Sequence, residues 1–141
     1  MINFLISLIN KKFRFLRSWE NEHKEIVFLM QSIVLSFRKD SDKKIHKKIE
    51  KLAILLESHF THEELGLEYF YKHNKNIQDS IKEFNADFKS VQKSVQSFFE
   101  VNKDKPIDDR FITHFISLKE NISKRLCFEE ANLFIKLKDS K

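Results

Sequence analysis

Glycine and proline occur once each in this 141-residue chain, at Gly66 and Pro106. β-Hairpins and sandwiches need many positions that tolerate positive φ or fix a tight turn, and two are too few. A sheet-based fold is excluded on that ground, and the expectation is all-α. Cysteine also occurs once, at Cys127, so no intrachain disulfide can form and a reducing, cytoplasmic compartment is expected. Long apolar runs are missing. The opening stretch, residues 1–10, is apolar but well short of the ~20 residues that a spanning helix needs. Its basic neighbours Lys11, Lys12, Arg14 and Arg17 follow the apolar part instead of preceding it, and no small-residue cleavage site comes after. Neither a transmembrane segment nor a secretory signal is expected. The chain also has no glycine-rich phosphate loop, no paired-cysteine motif and no nucleophile with a base partner, so no enzymatic activity is expected.

Charge of one sign is not strongly in excess: 26 basic residues stand against 21 acidic ones, a net +5. Lys43, Lys44, Lys47, Lys48 and Lys51 fall mostly on the solvated side of one helix, which is too little clustering for a nucleic-acid surface. What the chain does have is core material. Apolar residues make up 41%, with 15 phenylalanines, enough for one domain with a sizeable interior.

Helical periodicity marks four segments, about residues 18–38, 43–71, 76–101 and 107–137. Asp40, Ser41 and Asp42 offer caps at the first break, and residues 102–106 end the third segment and start the fourth with proline. Short connections favour antiparallel neighbours, so the expected architecture is an up-down-up-down four-helix bundle over residues 18–141. Residues 1–17 are read as an amphipathic arm that packs on the bundle, on a second copy or on another protein partner, with attachment to a membrane surface as the alternative. The stripes predict a core containing Phe28, Leu56, Phe60, Leu67, Phe88, Phe115, Ile122 and Leu133. Cys127 is expected to be a small buried or interfacial thiol.

Polar residues interrupt these stripes in a pattern that suggests metal chemistry. His59 and Glu63 are four apart on one helix and project from the same face. His23 begins the apolar row continued by Ile26, Met30 and Ile33. On the fourth segment Arg125 and the pair Glu129-Glu130 break the row of Leu118, Ile122, Leu126 and Leu133, and charges beside an apolar stripe need partners. Glu129 is read either as a salt-bridge residue or, should the register move by one, as the ligand carboxylate. His62, one residue off the ligand row, is read as a surface or interhelical residue. His46, His73 and His114 are read as exposed or helix-end histidines.

The block from Glu20 to Ile26, the run His59-Phe60-Thr61-His62-Glu63-Glu64 and the block from Leu118 to Glu130 together resemble the bacterial hemerythrins over about residues 18–137. The resemblance implies a non-haem iron site in a four-helix bundle, with His23 and His59 as ligands and Glu63 and Glu130 at the bridging-carboxylate positions. It also implies histidines that this chain lacks. Arg125 stands where the fourth helix should supply one, and Ile81 with Asn85, or Gln78 with Lys82, stand where the third helix should supply two. One half of the family's diiron site is kept and the other is lost, so a conventional, reversibly oxygen-binding diiron centre is not expected. Two outcomes follow. One is a protein that senses or stores iron or oxygen-derived species, holding at most one iron, manganese or zinc ion on His23, His59, Glu63 and Glu130. The other is a metal-free interaction module in which the Arg125 guanidinium replaces the lost cation. For the second, Trp19, Glu22, the run Ser58-His59-Phe60 and Arg125 with Glu129-Glu130 are similar to the anti-sigma regulators of the Rsd/AlgQ family.

Overall fold

The computed structural model describes residues 2–139, with the side chains of residues 2–10 and 13 outside the described set. It is all-helical: α1 (Ile2–Ser36), α2 (Asp42–His73), a 3-10 turn (Lys75–Ile77), α3 (Gln78–Asn102), α4 (Asp109–Phe128), a π-helical turn (Glu129–Leu133) and α5 (Phe134–Asp139). The last three run on without a break, so the fold consists of four long helices, with no strand among the described residues. None of the helices is long and apolar enough to cross a membrane.

Local chemistry sets the helix ends. The Ser41 hydroxyl accepts from Lys44 N–H at 3.3 Å and caps α2. Asp108 accepts from Phe111 N–H at 2.9 Å and caps α4. Pro106 was expected to open the fourth helix, but α4 begins at Asp109 under the Asp108 cap, because that side chain supplies the acceptor which the orphan N–H groups need. Asp104 takes φ 59° in the preceding turn, a left-handed conformation that a short polar side chain tolerates. α1 has no break at 17/18. Residues 12–17, read as part of an arm, are turns of this helix: Leu16 is buried, Phe15 packs on Tyr69 and Phe70, and Lys12 Nζ donates to Lys138 O at 2.8 Å. The apolar side chains of residues 1–10, on which the arm reading rested, lie outside the described residues.

Two apolar clusters fill the interior. One gathers Ile26, Met30, Ile33, Leu52, Leu56, Phe60, Phe88, Phe115 and Ile122; the other gathers Leu16, Trp19, Leu67, Phe70, Ile81, Phe84, Leu133 and Phe134. Seven of the eight residues expected in the core are buried. Phe28 is the correction, being 75% exposed. It lies two residues from both Ile26 and Met30, about 200° around a helix of 3.6 residues per turn, and so faces away from the row they define. Cys127 is likewise exposed, not buried. Gly66 lets α1 and α2 approach closely, since a Cβ there would stand 2.3 Å from Trp19 Cζ2.

Candidate metal centre

His23 from α1, His59 and Glu63 from α2 and Glu129 from the π-helical turn all come inward at the level between the two clusters. His23 follows Trp19 by four residues and precedes Ile26 by three. His59 and Glu63 lie between Leu56 and Leu67, and Glu129 lies between Leu126 and Leu133. The same 3.6-residue ladder that aligns the apolar side chains therefore points these four into one buried layer. All four are buried, and one ligand atom from each falls within 4.8 Å of every other.

The imidazoles fix the chemistry. His59 Nδ1 lies 2.7 Å from Glu22 Oε2, and His23 Nδ1 lies 3.0 Å from Glu130 Oε1. A carboxylate on Nδ1 keeps the ring proton there and leaves Nε2 as a bare lone pair. The two Nε2 atoms face each other at 3.2 Å. His59 Nε2 is 2.8 Å from Glu63 Oε2, and His23 Nε2 is 3.2 Å from Glu129 Oε2. With Nδ1 holding the proton, each Nε2 turns a lone pair toward its carboxylate, and neither carboxylate is satisfied by a hydrogen bond from an imidazole. Two imidazole nitrogens and two carboxylates thus converge in one buried group that could hold a metal ion. Adjacent ligands on an ion with bonds of about 2.0–2.2 Å stand roughly 2.8–3.6 Å apart, which the 2.8, 3.2 and 3.2 Å separations match.

Burial raises the pKa of Glu63 to about 7 despite the opposing pull of Glu129 and Arg125, while Glu22 adds to the rise. Burial and the neighbouring Glu63 charge raise Glu129 to about 8, against the pull of His23. Glu22 ends on the other side of its ordinary value. Its partial burial works upward, but hydrogen bonds from His59 and His62 outweigh that and leave it lowered.

Of the residues singled out in the sequence, His23, His59 and Glu63 come together. Glu130 does not join them: its side chain is 49% exposed, at the rim, holding His23 from outside. The inward carboxylate is that of Glu129, one residue earlier. The register of α4 accounts for the difference, since Glu129 lies four residues beyond buried Arg125 and seven beyond buried Ile122; the π turn that follows, with its i to i+5 bond from Phe134 N–H to Glu129 O, lets Leu133 and Phe134 both face inward. His62 is exposed and shares Glu22 with His59. Arg125 is buried, with Nε 3.8 Å from Glu129 Oε1, Nη2 donating to Phe84 O at 3.2 Å, and the guanidinium 3.9 Å above the Phe84 ring. Among the carboxylates of the cluster, the one it reaches is Glu129, because residues four apart on one helix meet directly. Sequence reasoning gave no positioning role to Glu22 or to Phe134, whose ring stacks on His23 at 5.3 Å. Glu22 carried a signal, an acidic residue beside a ligand histidine; Phe134 carried none beyond the apolar stripe. No family model, curated protein or solved structure matches this chain.

Proposed function

We propose that the protein is a hemerythrin-like, non-haem metal-binding bundle that holds a single divalent ion, iron, on His23, His59, Glu63 and Glu129. The observation that carries this reading is the convergence of four buried acceptor atoms, two of them imidazole lone pairs fixed by carboxylates behind. Mixed imidazole and carboxylate ligands suit iron, manganese and zinc. Two ionised carboxylates also match the charge of a divalent ion. An antiparallel up-down-up-down order agrees with the contacts: Trp19 meets Phe70 while Ser36 meets Lys48, so α2 descends as α1 ascends. The bound ion would supply one-electron chemistry toward oxygen-derived species. The chain's own residues orient it through Glu22 and Glu130 and keep water out with Phe134 and the two apolar clusters. Sensing or storage in the cytoplasm is the role that fits.

Arg125 favours a second, metal-free reading. One proton shared by Glu63 and Glu129, together with the guanidinium 3.8 Å from Glu129, cancels the two carboxylate charges as a divalent ion would. In that form the bundle is an interaction module of the anti-sigma kind. Manganese titration followed by electron paramagnetic resonance separates the two. The metal reading predicts saturable loss of the free-ion signal that His59→Ala abolishes, and the metal-free reading predicts no loss in either protein.

A further inference from the structure

Arg125 also borders a space that the buried cluster does not use. Between α3 and α4 runs a groove of about 510 Å³ whose lining includes Arg125, with Val91, Val95, Leu118 and Ile122 along its apolar floor. It shares Ser94, Leu118 and Asn121 with a further section of about 440 Å³ that continues past Phe98 toward His114. Arg125 therefore stands near one end of a long trough with an aliphatic floor and polar walls.

The guanidinium is poorly served where it lies. It carries five N–H donors, and the one hydrogen bond it makes is from Nη2 to Phe84 O, while Nε is buried with no acceptor. Its nearest carboxylate, at 3.8 Å, is beyond hydrogen-bond reach. Phe84 lies 3.9 Å under the guanidinium, and with Nε buried beside Glu129 the Nη1–Nη2 edge is the one that can offer a carboxylate a bidentate pair. The other charges in the groove, Asp87 and Lys124, offset each other, so the trough presents one net positive charge at its end.

We propose that this groove binds a small aliphatic monocarboxylate, its carboxylate on the Arg125 guanidinium and its chain along Val91, Val95, Leu118 and Ile122. The inference is independent of the metal reading, because the groove lies outside the four-ligand cluster and needs no ion.

Isothermal titration of octanoate, 1-octanol and inorganic phosphate into the full-length, chelator-treated protein tests it. Octanoate is expected to bind at one saturable site, about tenfold or more tighter than 1-octanol, since the alcohol lacks the charge-assisted bidentate pair. Phosphate, with no apolar chain to bury, is expected to bind far more weakly. Asn121→Phe fills the groove from an exposed wall position without touching the buried cluster. It is expected to weaken octanoate about tenfold or more while leaving the helical circular-dichroism spectrum and the metal content unchanged. No saturable octanoate binding, octanol or phosphate binding as tightly as octanoate, or undiminished octanoate binding by Asn121→Phe would each overturn the proposal. Failure of metal binding alone would leave it standing.

Discussion

At the scale of single residues, Glu63 and Glu129 govern how the cluster responds to pH. Both hold protons in the fold at pH values where an ordinary glutamate, near 4.5, has lost them, with pKa values raised to about 7 and about 8. The folded chain then binds more protons than the unfolded chain across that window. Their contribution to stability is fully present below the ordinary value and is lost as pH rises through about 7 to about 8. Chelator-treated protein should show a denaturation midpoint that falls across that range, and Glu63→Gln with Glu129→Gln should flatten the dependence. A bound ion displaces those protons, so apparent metal affinity should rise over the same interval. Glu22 acts from one layer further out. Replacing it by Gln removes the carboxylate that holds the His59 ring proton on Nδ1, and metal affinity should fall about 10–100-fold in a competition titration.

At the scale of elements, α1 and α2 form the closest pair, and Gly66 is the reason they can. Gly66→Ala would put a methyl group 2.3 Å from the fully buried Trp19 ring, which has Phe70 and Phe134 on other sides and little room to move. We expect a loss of about 1–3 kcal/mol, read from the urea midpoint, as for other overpacked cores. Periodicity located α2, α3 and α4 to within a few residues, because Ser41 and Asp108 punctuate the chain where helices start. It did not foresee that α1 is continuous from Ile2, since nothing in the helical propensities around residue 17 either starts or stops a helix. His23, His59 and Glu63 were legible because ligand spacing and apolar spacing coincide. Spacing did separate Glu129 from Glu130: seven residues beyond Ile122 and eleven beyond Leu118, Glu129 falls within about 20° of their row, while Glu130 falls about 80–120° away, and it was the resemblance that favoured Glu130. What the hydrophobic pattern carries no sign of is the π turn that follows, which lets Leu133 and Phe134 both face inward.

At the scale of the whole molecule, the bundle sets two apolar clusters on either side of one polar layer, and Arg125 fills the space beside that layer. In the proposed site this guanidinium would limit the count of ions, because a second cation next to it would meet a fixed positive charge while Glu63 and Glu129 are already committed to the first. Arg125→His would remove that charge and add an imidazole four residues from Glu129, so the variant should bind metal more tightly than the parent chain in the same titration. The most direct test of the account is metal analysis of protein purified without an affinity tag, loaded anaerobically with ferrous iron and freed of excess ion. We predict one iron per chain, lost in His23→Ala and in His59→Ala and kept in His62→Ala. Two irons per chain, or the same iron content in the His59→Ala protein as in the parent, would contradict it.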